Sequence, residues 1–482
     1  MDVSIDMGMT MIKRILVIVC ALALMPMALV AGEKRQVPLK ELQQAFVDLR
    51  FGMFVHFNMP TFCPEDWCDP DANPALFNPV KLDCSQWAKA AKSAGMTYGC
   101  LTTKHHSGFC IWNTKSTDYS VMSSPFRRDV VREFVDAFRK EGLHVMLYYS
   151  ILDTHHRLRP GCIRPEHLTM IKQQLTELLT QYGDIDALII DGWDAPWSRI
   201  SYVDIPFSDI YQLIKNLQPN CLVMDLNSAK YPAEGLFYSD IKAYEQGAGQ
   251  KISKDVNNLP AMSCLPLQPH WWFWKDYFPT TSELKSAEYI VNENINPMGK
   301  AFCNFMLNVA PNRDGLMDAN AVARLKEIGR LYVNRGHAAT LGQYDDAINV
   351  PNLAIGKPVE GSWSYDCQLF DFINDDNFKT AWYAHKSVKN PNVTISLGAE
   401  QPFNAVVITD EENDDIEQYT IEYRTHNEWK TIFSGNAKDG KRVKYHRFST
   451  VWGDAVRLTV HKYRAEMLGI SELGIYNERR AE

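Results

Sequence analysis

The sequence lacks the features that mark several large classes of protein. It has no long basic run, and 50 Lys and Arg against 58 Asp and Glu give a formal net charge of −8, so no electrostatic footprint for nucleic acid is present. Apart from one segment near the N-terminus there is no long apolar run, which excludes a polytopic membrane protein. With 46% hydrophobic and 22% charged residues over 482 positions, we expect a globular protein of two or three domains.

Several short motifs of common enzyme classes are also missing. There is no GxGxxG fingerprint or Walker loop for a nucleotide, no HExxH for zinc and no GxSxG elbow for a serine hydrolase. The 11 cysteines are scattered without metal-binding spacing. Cys63 and Cys68 are close enough in one loop to form a disulfide, which an exported protein would permit.

The one apolar segment has the layout of a secretory signal. Lys13 and Arg14 precede an apolar run from Ile15 to Ala31, which Pro26 interrupts, and polar residues follow. We therefore expect a signal peptide over residues 1–31, with Met11 as an alternative start. The mature protein would be periplasmic or extracellular, or lysosomal in a eukaryote, with no membrane span after cleavage.

The rest of the chain changes its periodicity once. From about residue 45 to 335, short apolar runs alternate with amphipathic stretches, and strands that are apolar on both faces are typical of a buried parallel sheet. This pattern predicts a (β/α)8-like (TIM) barrel over residues 32–340. Short alternating runs follow, which predict a C-terminal all-β sandwich of jelly-roll type over residues 350–478.

Polar side chains stand where the predicted barrel strands end, the edge at which such barrels carry their sites. Asp191 is the sharpest of these, because the apolar strand ALII leads directly into the carboxylate. His56 ends the first strand, and His105 and His106 follow the second. Adjacent residues on extended backbone point apart, so we expect hydrogen-bonding histidines and no metal. Such a pocket suits a sugar, and 12 Trp supply aromatic platforms.

At these positions the sequence resembles the α-L-fucosidases of glycoside hydrolase family 29. The resemblance rests on FVHFNMPTF, PEDWCDP, LTTKHHSGFCIWNTKSTDYSV, MLYYS, IDALIIDGW and NFMLNVAPNRDG, and it runs through nearly the whole barrel. It implies Asp191 as the nucleophile. The residues implied to line the fucose pocket are His56, Glu65, Trp67, His105, His106, Tyr148 and Trp193.

Three positions leave alternatives open or depart from the family pattern. Tyr149 can replace Tyr148, because strand alternation turns only one of the two inward. Glu65 and Asp66 both precede Trp67, so either carboxylate can take the family's role. The family's KHHDGF is KHHSGF here, with Ser107 in place of an acid.

The resemblance implies the general acid less directly than the nucleophile. Glu245, at the end of a predicted strand, is favoured for this role, and Glu234 is the alternative. The mechanism implied by the resemblance is double displacement with retention, in which the two carboxyl groups are about 5–5.5 Å apart. It requires no metal and no organic cofactor.

The C-terminal region resembles a discoidin-like (coagulation factor 5/8 type C) or carbohydrate-binding sandwich. NLAIGKPVEGSWSYD, INDDNFKTAWYA and YRAEMLGISELGIY carry this resemblance. Trp382 and Tyr383 are candidates for stacking on sugar, with a core position for Trp382 as the alternative. We therefore expect an exported retaining α-L-fucosidase acting on fucosylated glycans, either broad or α-1,3/1,4-selective. The competing hypotheses are a glycan-binding protein on an inactive barrel and another retaining glycosidase such as an α-galactosidase.

Overall fold

The computed structural model describes most of the chain in six segments. These are residues 36–254, 257–278, 283–337, 339–365, 369–438 and 440–478. The predicted signal peptide, residues 1–31, lies outside the described residues. Within the described segments, no helix has both the length and the apolar character needed to cross a membrane.

Eight parallel strands form the first sheet and confirm the predicted barrel. Their order is β5-β4-β3-β2-β1-β8-β7-β6, and nearly every strand residue is buried, as strands covered on both faces must be. The strands are β1 (Phe51–Val55), β2 (Tyr98–Lys104), β3 (His144–Ser150), β4 (Ala187–Asp191), β5 (Leu222–Asp225), β6 (Lys242–Glu245), β7 (Ala261–Pro266) and β8 (Cys303–Asn308).

No β-ladder joins β5 to β6 in the described barrel, and the gap is crossed by a backbone bond from the Asp240 amide to the Val223 carbonyl at 2.8 Å and by side-chain bonds. The hydroxyl of Ser228 accepts a hydrogen bond from the amide of Ala243 at 2.9 Å. The hydroxyl of Ser239 likewise accepts one from the amide of Asp225 at 3.2 Å. These bonds satisfy backbone groups that an open sheet edge would leave unpaired, so the barrel is nearly closed.

Helices pack against the barrel; the first precedes β1 and places Phe46 in the apolar cluster of the barrel interior, and each of the others follows a strand. They are α1 (Leu39–Leu49), α2 (Cys84–Ser93), α3 (Val130–Lys140), α4 (Pro165–Gln181), α5 (Phe207–Leu217), α6 (Asn296–Lys300) and α7 (Ala319–Leu331). The sequence predicts a regular helix over 283–292, but a π-helical turn at Tyr289–Ile295 precedes α6 instead. Pro297 explains the difference, because it has no N–H to bond the Glu293 carbonyl, which accepts from Lys254 Nζ at 2.6 Å.

The second sheet is antiparallel and forms the predicted C-terminal sandwich. Its strands are β9 (Val359–Gly361), β10 (Trp382–Tyr383), β11 (Asn392–Asp410), β12 (Ile416–Thr425), β13 (Glu428–Asn436), β14 (Val443–Tyr463) and β15 (Gly469–Tyr476). Register shifts interrupt the pairing of β11 with β14, and on its other edge the first half of β11 pairs with β9 and the second half with β15. Trp382 is buried against Phe370 and takes the core position, not a sugar-stacking one.

The sandwich packs directly onto the barrel through aromatic side chains. Phe237, after β5, contacts Phe378 of the sandwich, with ring centroids 5.5 Å apart. It also stacks on Tyr445 of β14 at 6.1 Å. The apolar core of the barrel thus continues into the sandwich, and the two sheets bury a common surface.

A buried ion pair holds the KHHSGF segment that follows β2. Lys104 Nζ lies 3.3 Å from Asp153 Oδ2, and both side chains are fully buried. Burial alone would raise the pKa of Asp153, but Lys104 and His156 outweigh it and lower that pKa below its ordinary value. Gly108 has φ +87°, and a Cβ there would lie 2.1 Å from Asp153 Oδ1, so the turn requires glycine.

Replacing the buried cation is expected to destabilise the barrel. In Lys104→Met the Asp153 carboxylate stays buried and keeps its contacts with His156 but loses its cation, which costs about 3–5 kcal/mol of unfolding free energy. Chemical denaturation at pH 7 measures the loss. The matched control is Lys81→Met, which breaks an exposed pair with Asp314 and is expected to cost less than about 1 kcal/mol. Equal losses in the two variants would contradict the prediction.

Candidate active site

Asp191 ends β4 and is surrounded by hydrogen-bond donors. The Tyr148 hydroxyl donates to Oδ2 at 2.6 Å, while Asn227 Nδ2 and the amide of Gly192 donate to Oδ1 at 3.1 and 2.6 Å. Gly192 has φ +94°, and a Cβ there would lie 2.8 Å from the amide nitrogen of Leu152. The chain after Asp191 therefore needs glycine to make its turn. The carboxylate is buried and rich in polar partners.

The structure distinguishes the two adjacent tyrosines of β3. Tyr148 faces the barrel interior, where burial and the charge of Asp191 raise its pKa well above the ordinary value and keep the hydroxyl protonated. Tyr149 points outward, and its hydroxyl donates to Gln174 Oε1 of α4 at 2.6 Å. Tyr148 is therefore the one that reaches the site.

His56 is held as a neutral ring with its Nε2 lone pair available. Its Nδ1 lies 2.9 Å from Asn308 Oδ1. The side-chain nitrogen Nδ2 of Asn308 donates to the Trp272 carbonyl at 2.7 Å. Since Asn308 thus presents an acceptor, His56 Nδ1 carries the proton. Burial lowers the pKa of His56 to about 3, so Nε2 can accept a hydrogen bond from a ligand hydroxyl.

His106 is oriented in the same way by a different partner. Its Nδ1 lies 2.8 Å from Ser150 Oγ, and that hydroxyl already donates to the Leu152 carbonyl at 2.9 Å. His106 Nδ1 must therefore donate, which leaves Nε2 as an acceptor 3.7 Å from Asp191 Oδ2. Burial lowers the pKa of His106 to about 4.

His105 and His106 lie side by side, and the expectation that they point apart is wrong. Their ring centroids are 3.9 Å apart, because β2 ends at Lys104 and the next residues form a turn instead of extended chain. Burial also lowers the pKa of His105, and its Nδ1 has no hydrogen-bond partner among the described residues. No three His, Cys, Asp or Glu side chains in the described segments are grouped so as to hold a metal ion.

Glu245 ends β6 and shares the pocket of Asp191. Burial and the nearby charge of Asp191 raise the pKa of Glu245 to about 8. A hydrogen bond with Trp272 acts in the opposite direction but is the weaker effect. After burial, the charges of Asp191 and Glu245 both contribute to the raised pKa of Tyr148. Glu234 lies elsewhere, with its side chain 47% exposed and 4.0 Å from Arg442 of the sandwich.

The loop after β1 brings Trp67 to the mouth of the pocket. Trp67 stacks on His106, with ring centroids 4.8 Å apart, and the predicted Cys63–Cys68 disulfide closes the loop that carries it. Of the two adjacent carboxylates, Glu65 is exposed. Asp66 is the one held at the site, where it accepts from the amide of Trp272 at 2.9 Å.

Trp193 does not reach the pocket. Its side chain is fully buried outside the barrel, where its ring contacts Phe207 at 5.0 Å and Tyr202 at 5.9 Å. Its indole N–H donates to the Ile205 carbonyl at 2.9 Å. The positive φ of Gly192 turns the chain outward directly after Asp191, so the next side chain anchors the loop and does not line the site.

Several side chains of the pocket escape prediction from the sequence. They are Asn227, which binds Asp191, Asn308, which orients His56, Trp272 and Phe273, which contact the ring of His56, and Trp197, which contacts His106. The run PHWWFW at 269–274 is a signal for two of them, because so many adjacent aromatics exceed what a barrel core requires. Asn308 ends β8 within the run NFMLNVAPNRDG, whereas Asn227 carries no local signal.

Comparison with models of known protein families assigns the chain to one of them. A family model described as Alpha-L-fucosidase matches residues 31–336, more than half of the chain. The chain belongs to the alpha-L-fucosidase family. The fucosidase is therefore a glycoside hydrolase with a glycan substrate. A second model, described as F5/8 type C domain, matches residues 360–473 and accounts for the C-terminal sandwich of the fucosidase.

Individual relatives agree with this assignment. The fucosidase is 28% identical over 473 residues to Alpha-L-fucosidase 1 of Arabidopsis thaliana, covering 92% of this chain and 88% of that protein. It is 24% identical over 269 residues to Tissue alpha-L-fucosidase of Homo sapiens, covering 52% and 54% respectively. Among solved structures, Alpha-L-fucosidase isoenzyme 1 from Paenibacillus thiaminolyticus matches with a TM-score of 0.53 at 23% identity, covering 89% of this chain and 100% of that chain, which shows a shared fold.

The raised pKa of Glu245 can be measured without any enzyme assay. In protein labelled with 13C at glutamate carboxyl groups, we expect the Glu245 resonance, identified by its loss in Glu245→Gln, to titrate near pH 8. In Asp191→Asn the neighbouring negative charge is gone, so the pKa of Glu245 falls towards its ordinary value. An unchanged titration in Asp191→Asn would show that Asp191 does not act on Glu245.

Proposed function

We propose that this protein is a retaining α-L-fucosidase in which Asp191 is the nucleophile and Glu245 the general acid and base. The observation that carries the proposal is the contrast between two carboxyl groups in one pocket. Asp191 receives hydrogen bonds from three donors, whereas burial and the charge of Asp191 raise the pKa of Glu245 to about 8. One group is prepared to attack and the other to give up a proton.

In the first step, an Asp191 oxygen forms a bond to the anomeric carbon while the bond to the leaving oxygen breaks. Glu245 transfers its proton to that oxygen, so that the leaving sugar departs as a neutral alcohol. The product is a β-linked fucosyl ester of Asp191. The Tyr148 hydroxyl and the Asn227 amide hold the carboxylate in place for this attack.

In the second step, water attacks the same carbon from the opposite face. Glu245, now ionised, takes the proton from the water, and the bond to Asp191 breaks with its electron pair returning to the carboxylate. Two inversions give fucose of the original α configuration. Loss of the proton from Glu245 above pH 8 would remove the acid needed for the first step.

The neutral histidines supply acceptors for the sugar hydroxyls. His56 and His106 each present an Nε2 lone pair, because Asn308 and Ser150 fix the proton on Nδ1. The ring of Trp67 beside His106 offers an apolar face. This combination of fixed acceptors and aromatic surface suits a sugar with several hydroxyls and one apolar side.

The carboxylate pair also favours catalysis over the competing binding hypothesis. A protein that only binds fucose would have no need to bury a second carboxyl group beside Asp191, since burial of such a pair is costly.

Glu65 is not included in the proposed pocket because it is exposed. Asp66 takes its place, since it accepts from the Trp272 amide beside His56.

We further propose export, with residues 1–31 as signal peptide, a catalytic domain over 32–340 and a sandwich domain over 350–478. The apolar run of residues 15–31 after Lys13 and Arg14 supports export. So does the Cys63–Cys68 disulfide, which is typical of an oxidising compartment. Selectivity between linkages is decided by the surface beyond the fucose pocket.

Removing the general acid is expected to affect substrates unequally. Glu245→Ala should lose turnover of fucosylated oligosaccharides far more than of an aryl α-fucoside, because an aryl group leaves without a proton. Azide needs no base, so it should restore aryl fucoside turnover and give α-fucosyl azide, identified by NMR. Glu234→Ala is the matched control and should change little. The reverse pattern would transfer the role to Glu234.

Removing the nucleophile is expected to give the opposite stereochemistry. Asp191→Ala should abolish turnover of the aryl α-fucoside while the protein stays folded, and azide in place of the carboxylate should give β-fucosyl azide. Circular dichroism checks the fold, and an aryl α-galactoside assayed in parallel tests the α-galactosidase alternative. Near-normal turnover of the aryl fucoside by Asp191→Ala would refute the assignment.

A further inference from the structure

Two exposed tryptophans stand at the mouth of the pocket, beside the buried histidine. Trp67 and Trp197 are 47% and 44% exposed, and their rings meet edge to face at 5.4 Å. His106, whose Nε2 lies 3.7 Å from Asp191, contacts both rings, at 4.8 and 4.4 Å. An aromatic wall therefore leads from Asp191 out to solvent.

The loop that carries Trp197 is fixed at several points. Trp193 anchors one end in the core, the amide of Asp194 donates to the Ile200 carbonyl at 2.7 Å, and the Ser198 hydroxyl donates to the Gly192 carbonyl. Asp194 has φ +42°, a conformation that most residues avoid. Such a fixed loop presents the Trp197 ring in one orientation.

Lys230 connects this loop to the sandwich. Its ammonium group forms an ion pair with Asp194 and lies 3.7 Å from Asp376 of the sandwich. Its side chain is only 25% exposed, so the contact is largely shielded from solvent. The sandwich therefore helps to position the Trp197 loop.

The loop that carries Trp67 is fixed separately. The Cys63–Cys68 disulfide closes it, and Asp66 pairs with Lys275 at 3.0 Å, both side chains being nearly buried. Two loops from different parts of the chain thus hold exposed aromatic rings against the same histidine. Large apolar side chains that are exposed yet rigidly held mark a binding surface.

We propose that Trp197 forms the binding site for the sugar to which fucose is attached, next to Trp67 of the fucose pocket. This site would take a hexopyranose of the glycan, such as galactose or N-acetylglucosamine, with the apolar face of its ring against the indole of Trp197. The proposal rests on the proposed fucosidase function. It makes Trp197 a determinant of which glycans are cleaved, while His56, His106 and Asp191 act on fucose itself.

The same site would also bind an acceptor sugar, which receives fucose from the ester intermediate in place of water. An acceptor hydroxyl oxygen forms a bond to the anomeric carbon of the fucosyl ester, and the bond to Asp191 breaks with its electron pair returning to the carboxylate. The hydroxyl proton passes to Glu245. A sugar held on Trp197 thus competes with water for the intermediate, and the ratio of transfer to hydrolysis reports on its binding.

α-L-Fucosyl fluoride separates the two sites, because its leaving group carries no sugar. The substrate to compare with it is a trisaccharide in which fucose is linked to galactose or to N-acetylglucosamine. The measured quantity is the ratio of kcat/KM for this trisaccharide to kcat/KM for the fluoride. Transfer to added lactose during turnover of the fluoride is measured alongside. In Trp197→Ala we expect both the ratio and the transfer yield to fall about tenfold. Trp197→Phe should restore most of both.

The control is Trp452→Ala, which removes a 59% exposed tryptophan from β14 of the sandwich and should leave both quantities unchanged. If Trp197→Ala leaves the ratio and the transfer yield as in the wild type, the acceptor site is refuted while the fucosidase function stands. The same conclusion follows if Trp197→Ala lowers kcat/KM equally for the trisaccharide and for the fluoride. If the wild type releases no fluoride from fucosyl fluoride, the proposed function itself fails, and the acceptor site with it.

Discussion

Two carboxyl groups cannot both be charged when they share one buried pocket, and this constraint organises the site. Three donors surround Asp191, whereas burial and the charge of Asp191 raise the pKa of Glu245. The barrel makes this contrast possible because β4 and β6 end at the same edge while offering different neighbours. Tyr148 then donates to Asp191 as a neutral hydroxyl, which an ionised phenolate could not do.

The remaining pocket is built from neutral side chains whose orientation is fixed from behind. Asn308 and Ser150 decide which nitrogen of His56 and His106 carries the proton, so the site presents acceptors without adding charge near Asp191. The rim depends on more distant parts of the chain. Lys230 joins the Trp197 loop to the sandwich, which gives the C-terminal domain a place in shaping the entrance.

The sequence by itself determined the two sheets and the family. Strands that are apolar on both faces have few alternatives to a parallel barrel, and the later change to short alternating runs predicted the sandwich; the structure confirms both. Apolar strands ending in His56 or Asp191 were local signals, because a polar residue there must face the open end of the barrel. Cys63 and Cys68 were predicted to pair because five positions separate them in one loop.

Only the tertiary structure decided the matters that depend on distant neighbours. Tyr148 and Tyr149 are both buried, so no polarity pattern shows which faces inward. Glu245 differs from Glu234 through its burial and the field of Asp191, which lies 54 positions away in the sequence. β7 escaped prediction because Ala261–Pro266 mixes small and polar residues, and burial between two strands fixes it instead. Trp193 lies outside the pocket because Gly192 turns the chain, and the direction of a turn is set by what it packs against.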